Sequence, residues 1–333
     1  MPNSGRIDET DSRLLHALQI EPRASWQDLA PIVGVDAGTL ARRWARLRDE
    51  GIAWSTGYTT QGQMALLELE CEHGHLESVA GQLRTDREAA VVDFSSGARD
   101  LLALVATQDL GAMADYTVGR LARVPGIRTV RTHLFSDLLM DASNWRLRAL
   151  TPAEAERVPP PRPPRPRAAK HVPDELVAAV MEEVWRDGRC PIATIAERSG
   201  YSPQRISDAL ATLRNSGALK FRTDIARTYS EWPIYAWYFI EAPARVVEAA
   251  RRRITSVPEV RLAAIAASRY NLILAVWLRR LADLNRLEIA LTGALEGSRI
   301  ADRAVVLNIA KHLGRALGSD GRASSPDASP RYG

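Results

Sequence analysis

The residues best placed to do chemistry stand on one short stretch, Asp36 to Glu50, DAGTLARRWARLRDE. Ala37, Leu40, Trp44 and Leu47 recur at helical spacing and form an apolar stripe. Thr39, Arg42, Arg43 and Arg46 share the opposite face. The chemistry such a face offers is base-edge recognition: a helix fits the major groove of DNA, and a guanidinium donates two parallel hydrogen bonds to guanine O6 and N7. Asp36 is a helix-capping residue type and Gly51 a helix stop. Upstream, Trp26 to Val33 reads as a shorter helix capped by Ser25, with Gly34-Val35 turning the chain between the two. Helix, glycine turn and second helix with a basic face make the helix-turn-helix pattern. An arginine face taken alone is more often a solvated surface, so the remainder of the chain has to support the reading.

Other chemistries leave less trace. His16, His73, His75, His133, His171 and His312 are scattered, and the His73-Gly-His75 pair has no third ligand nearby in sequence. There is no GxSxG, phosphate-loop or HExxH motif. No catalytic residue, metal or cofactor is therefore expected. Cys71 and Cys190 have no paired spacing, which argues against a disulfide framework or zinc cluster. No run of about 18 apolar residues occurs, so no membrane span is expected. The opening MPNSGRIDETD has no apolar stretch, so no secretory leader is expected and the protein reads as cytoplasmic. The net charge of +4 over 333 residues is modest and by itself says little about nucleic acid.

The elements that must position the basic helix follow in order. Residues 7–19 read as a leading helix with acidic residues in its first turn. After Gly51 the pattern changes to strand (64–71), helix (74–84), strand (89–95), strand (100–107), helix (110–124) and strand (127–139). That order is the split βαβ, ferredoxin-like plan, an antiparallel sheet with two helices on one face. Residues 158–170, VPPPRPPRPRAAK, carry too many prolines for a helix or central strand and predict an extended spacer. Its arginines read as keeping the spacer soluble rather than as DNA contacts.

The plan then repeats. A shift of 166 lays Arg23, Ala30, Gly34, Leu47, Arg48 and Gly51 over Arg189, Ala196, Gly200, Leu213, Arg214 and Gly217 without a gap. A leading helix over 174–187 precedes the second motif. Strands at 234–241, 260–267, 272–278 and 303–309 and helices at 245–254 and 282–295 rebuild the sheet plan. In the second basic helix the outward residues are Gln204, Arg205, Asp208 and Thr212. Asp208 stands where the first copy has Arg42, and Ala209 where it has Arg43. The first head is thus expected to dominate any DNA affinity, with Gln204 and Arg205 as the second head's contacts.

The expected fold class is α+β: two tandem units, each a three-helix head followed by a ferredoxin-like (βαββαβ) domain. The division runs: 1–6 disordered, 7–57 first head, 62–148 first sheet domain, 151–170 Pro/Arg-rich linker, 171–222 second head, 232–315 second sheet domain, 316–333 disordered tail.

The layout resembles the Lrp/AsnC, or feast/famine, family of transcription regulators. Ile7, Asp8, Asp11, Leu14, Leu15, Arg23, Leu29, Ala30, Gly34, Val35, Arg43, Leu47, Gly51 and Ile52 match that family's head pattern, and Gly97 and Asp100 its "G.yD" turn. The resemblance implies that the helix-turn-helix binds double-stranded DNA, that the ferredoxin-like domains self-associate, and that an effector, commonly an amino acid, binds near the turn. By that resemblance Gly97, Asp100 and the second copy's Asn271 are the effector-binding candidates. Ser268 replaces Gly97 in the second copy, and one Asp in a turn more often simply closes it. Most members carry one copy, so the two halves here are expected to form an internal pseudo-dimer. Two alternatives use the same plan. Siroheme decarboxylases look like paired units of this type, with His133 and Arg131 as the candidate groups here, and an assembly protein would have heads that no longer bind DNA.

Overall fold

A computed structural model describes residues 7–59, 61–166, 171–254 and 257–326. The first half contains α1 (Glu9–Ile20), α2 (Trp26–Val33), α3 (Ala37–Asp49), β1 (Ala53–Tyr58), β2 (Gln63–Cys71), α4 (Leu76–Thr85), β3 (Ala89–Ser95), β4 (Leu101–Thr107), α5 (Leu110–Ala114) and β5 (Ile127–Met140). Helix α6 (Pro152–Glu156) follows. The second half contains α7 (Asp174–Arg186), α8 (Ile192–Ser199), α9 (Pro203–Asn215), β6 (Lys220–Ile225), β7 (Ile234–Glu241), α10 (Ala244–Ile254), β8 (Val260–Ala266), β9 (Leu272–Leu278), α11 (Leu284–Ala294), β10 (Arg299–His312), β11 (Arg315–Leu317) and β12 (Ala323–Pro326). The fold class is the expected α+β duplication.

The chain divides into two compact units that do not follow the tandem order. One gathers both heads, residues 1–61, 146–229 and 322–333; the other gathers both sheet halves, 62–145 and 230–321.

In the two heads four of the described helix starts carry a side-chain cap. Asp8 caps α1 in a capping box with Asp11, Ser25 caps α2, Asp36 caps α3 and Ser202 caps α9. Gly34 at φ +90° and Gly200 at φ +74° end α2 and α8 in the left-handed region, where a side chain would be strained. The heads close around buried Leu14, Leu18, Leu29, Leu40, Trp44 and Leu47, and around Leu176, Val180, Ile195, Ile206 and Leu210. They are joined by an antiparallel ribbon, β1 with β6, running from Ala53 opposite Ile225 to Tyr58 opposite Lys220. Neither strand is evident from local sequence.

In the sheet unit the two ferredoxin-like sheets have the orders β3-β4-β2-β5 and β8-β9-β7-β10. β5 also pairs with β8, and β10 with β3, so eight antiparallel strands close into a ring. Closure removes both sheet edges. Helices cover the outside of each half over separate cores. One contains Leu67, Leu69, Val79, Leu83, Val92 and Tyr116; the other Tyr238, Val246, Ile254, Leu274, Val276 and Leu291. The two sheet halves do pack on one another, as an internal pseudo-dimer requires.

Four expectations need correction. The helix over 110–124 is regular only through α5, then widens to a π turn over Asp115–Arg120 and tightens to a 3-10 turn over Leu121–Arg123. The Thr117 hydroxyl donates to the Met113 carbonyl at 2.8 Å, a back-bond that loosens a helix there. The linker, bounded from residue 151, opens with a short helix, because Thr151 and Glu154 cap α6 reciprocally, ahead of the proline-rich stretch expected to be extended. The strand expected over 303–309 is twice as long, since its far end pairs with β3. The tail is not wholly without structure, because β11 and β12 form and Ala323 N–H donates to Gly51 O at 2.8 Å. Residues 1–6 and 327–333, expected to be disordered, and 167–170, expected to end the extended spacer, lie outside the described residues.

Candidate nucleic-acid interface

Helix α3 presents its outward residues in two distinct states. Asp36 accepts from Thr39 N–H at 2.9 Å and from the Thr39 hydroxyl at 2.6 Å, which holds its carboxyl below the usual range. Arg42 is exposed and donates to Thr39 Oγ1 at 2.8 Å. Thr39 and Arg42 therefore form one ordered, solvent-facing pair at the helix start. Arg43 and Arg46 are turned toward α1. Arg43 Nη1 lies 2.7 Å from Asp8 and 2.9 Å from Asp11, and Arg46 Nη2 lies 2.5 Å from Asp11. Asp11 is only 1% exposed. Burial alone would raise the Asp8 carboxyl, but hydrogen bonds from Asp11 N–H and Arg43 outweigh it and lower it. Half of the basic face read from the sequence thus fastens α3 to α1.

In the second head, Gln204 and Arg205 are exposed at the start of α9, and the Arg205 guanidinium lies 4.9 Å from the Tyr201 ring. Asp208 accepts from Gln204 at 3.1 Å and from both ends of the linker's Arg165 fork, at 2.9 and 2.6 Å. The Arg165 fork lowers the Asp208 carboxyl pKa below its ordinary value. Ala209 is buried. The cationic face of α3 has no equivalent on α9.

The repeat hid a further role. Arg23 and Arg189, aligned by the 166-residue shift, reach into each other's heads. Arg23 donates to Gly188 O at 2.6 Å and Cys190 O at 2.9 Å; Arg189 donates to Pro22 O at 2.5 Å and Ala24 O at 2.9 Å. Arg189 also stacks 3.9 Å from the Trp26 ring. Burial, with Arg23 beside it, draws Arg189 down to about 10. Arg214 grips Glu21 with both nitrogens at 3.0 and 2.6 Å, and its counterpart Arg48 stands 3.9 Å from Asp187. These arginines fix the spacing of the heads. Their identity in both repeats was the available signal.

The candidate effector turns are occupied by the chain itself. Gly97 adopts φ +94°, as its place in the turn required. Asp100 accepts from Cys71 N–H at 2.7 Å. Asn271 accepts from Ala242 N–H at 2.9 Å and donates to Ala242 O at 2.8 Å. Asp100 and Asn271 thus do the same work in the two halves, tying a turn to a strand end. His133 is likewise engaged: Nε2 lies 2.6 Å from Glu68 and Nδ1 2.9 Å from the Ser268 hydroxyl. Arg131 pairs with Glu70 at 2.7 Å. His73 and His75 stand exposed in a loop.

Compared with known families, residues 7–48 match the AsnC-type helix-turn-helix domain. The opening head is an AsnC-type helix-turn-helix domain. Curated relatives each align with about two fifths of this chain. An HTH-type transcriptional regulator of Pyrococcus furiosus is 25% identical over 141 residues, 40% of this chain and 93% of the relative. The Bkd operon transcriptional regulator of Pseudomonas aeruginosa is 28% identical over 142 residues, 38% of this chain and 88% of the relative. The crystal structure of the siroheme decarboxylase NirDL matches across 92% of this chain and 93% of its own, with a TM-score of 0.56 and 15% identity. That likeness is one of fold.

Proposed function

We propose that the chain is a sequence-specific, DNA-binding transcriptional regulator of Lrp/AsnC type, acting in the cytoplasm and answering to an amino acid or related small metabolite. One observation carries the reading: in an AsnC-type head, Thr39 and Arg42 stand ordered and solvent-facing at the start of the second helix of the motif. From there Arg42 reaches base edges, while Arg43 and Arg46 brace the helix from behind and add positive potential. Gln204 and Arg205 give the second head a weaker or different contact. Gly97, Asp100 and Asn271 shape the turns beside which an effector binds, through the backbone they order. Self-association beyond the internal pairing runs through the sheet unit. No described helix is long and apolar enough to cross a membrane.

The test is an electrophoretic shift on DNA upstream of the protein's own coding region. Arg42→Ala is expected to weaken specific binding by about tenfold, the worth of one bidentate base contact. Arg205→Ala is expected to have the smaller effect. Equal affinity of wild type and Arg42→Ala across a salt titration would refute the assignment.

The whole-chain fold shared with a siroheme decarboxylase supports a second reading, an enzyme acting on a tetrapyrrole. Against it, His133 and Arg131 are both held by carboxylates. A Soret-absorbing pigment carried through purification would favour the enzyme.

A further inference from the structure

The backbone of the closed sheet is close to symmetric, but the side chains across it are not. Phe135 faces Ala266 at one junction and Ser95 faces Val306 at the other, so a shift of 171 positions carries each junction onto the other. Backbone bonds obey the shift: Ala267 N–H donates to Leu134 O at 2.8 Å, and Ser96 N–H to Val305 O at 2.9 Å.

Three side-chain contacts between the halves break it. Arg99, 4% exposed, joins Glu68 of its own half at 2.5 Å to Asp302 of the other, with its guanidinium 4.5 Å from the Phe239 ring. The same place on the opposite side holds Tyr270 and Arg131. His133 bonds Ser268 and packs 5.8 Å from Phe239 and 5.7 Å from Tyr270. Its counterparts are Ala304 and Gly97. The Trp237 indole N–H donates to Asp93 at 3.0 Å, and Asp93 is fully buried. Here the counterparts are Leu66 and Ala264.

We propose that Arg99, His133 and Trp237 are specificity-determining residues that make this interface heterotypic: the first sheet half accepts the second and rejects a copy of itself. The physical reasons are separate for each contact. In a first-with-first pairing, buried Arg99 would lose the Asp302 carboxylate and find Arg131, a like charge, in its place. His133 would lose the Ser268 hydroxyl and the Phe239 and Tyr270 rings, whose places in a first half are held by Gly97, Glu68 and Arg99. Asp93 would lose its indole donor and face Leu66. In a second-with-second pairing, Asp302 would lose Arg99 and Trp237 would face Ala264. Discrimination by contacts that the wrong partner cannot satisfy is how interfaces choose between similar surfaces. The inference does not depend on whether the heads bind DNA.

Register supplies the test in the full-length chain. Asp137 faces Ile265, and Asn308 faces Phe94. A first-with-first pairing would instead set Asp137 of one copy against Phe94 of another. Two cysteines, Asp137→Cys with Phe94→Cys, are therefore expected to give no covalent dimer on oxidation beyond that of either single substitution. Asp137→Cys with Ile265→Cys closes within the chain and reports that the sheet has formed. Adding His133→Ala and Trp237→Leu, which copy the opposite side, is expected to raise the 137–94 dimer about tenfold, as loss of a buried polar pair predicts. If that variant does not fold, Trp237→Leu alone is used, with a smaller rise expected. Abundant dimer with all three residues native overturns the proposal. So does a folded variant with no rise, because partner choice would then come from the covalent linkage alone.

Discussion

His16 shows how much one side chain contributes away from any surface. It is buried in α1, and its Nδ1 accepts from Leu150 N–H at 2.8 Å, so it must be neutral to hold the segment leaving the sheet unit. Burial, with Arg146 and Arg148 nearby, lowers its pKa from 6.5 to about 4. The folded state therefore binds fewer protons than the unfolded state between those values. Its contribution is complete above about pH 6.5 and is lost as pH falls toward 4. His16→Gln is expected to flatten the fall in melting temperature across that window, measured against wild type in matched buffers. An unchanged pH slope would mean His16 titrates normally. At this scale the sequence was only partly legible. The types and spacing on α3 announced a basic face, but that Arg43 and Arg46 spend their charge on Asp11 depends on a helix 32 or more residues earlier.

At the scale of elements, local signals worked where the cause is local. The caps, the glycine turns and the apolar periods of α1 to α4 and of β7 and β9 placed these segments to within a residue or two. Ribbon strands β1 and β6 escaped because each exists only through the other, a partner far off in sequence with no alternation in AWSTGY to suggest it. Helix α6 was missed although Thr151 and Glu154 spell the capping box, since the prolines beyond drew the whole stretch into one reading. The ribbon also explains Gly188. A Cβ there would sit 2.5 Å from Ser55 Oγ and 2.9 Å from Thr56 N, and its N–H donates to Ser55 O at 2.8 Å. Gly188→Ala is expected to cost about 1–3 kcal/mol, read from urea denaturation. Gly81→Ala, in open space on α4, should be neutral or slightly stabilising.

At the scale of the molecule, the tandem order of the sequence and the compact units of the structure disagree. Duplication was visible in the residues and pairing of the two sheet halves was expected from the family resemblance, but not the sorting of the chain into one unit of heads and one of sheets. The polypeptide therefore passes between the units repeatedly, and the proline-rich stretch is not what keeps its halves together. A single protease cut within residues 158–166 is expected to leave both fragments eluting as one species on size exclusion, separating only on a denaturing gel. Two peaks from native protein would show that the ribbon, the exchanged arginines and the closed sheet are too weak to hold the halves.

The inequality of α3 and α9 reaches beyond the protein. Paired identical readers favour targets that look the same from either strand. Two unlike readers, fixed in one-to-one ratio by a peptide chain, have no such preference. A site recognised by this chain is expected to have a direction, with a strongly specified end under Arg42 and a lax end under Arg205, and to set which way the bound protein faces along the chromosome.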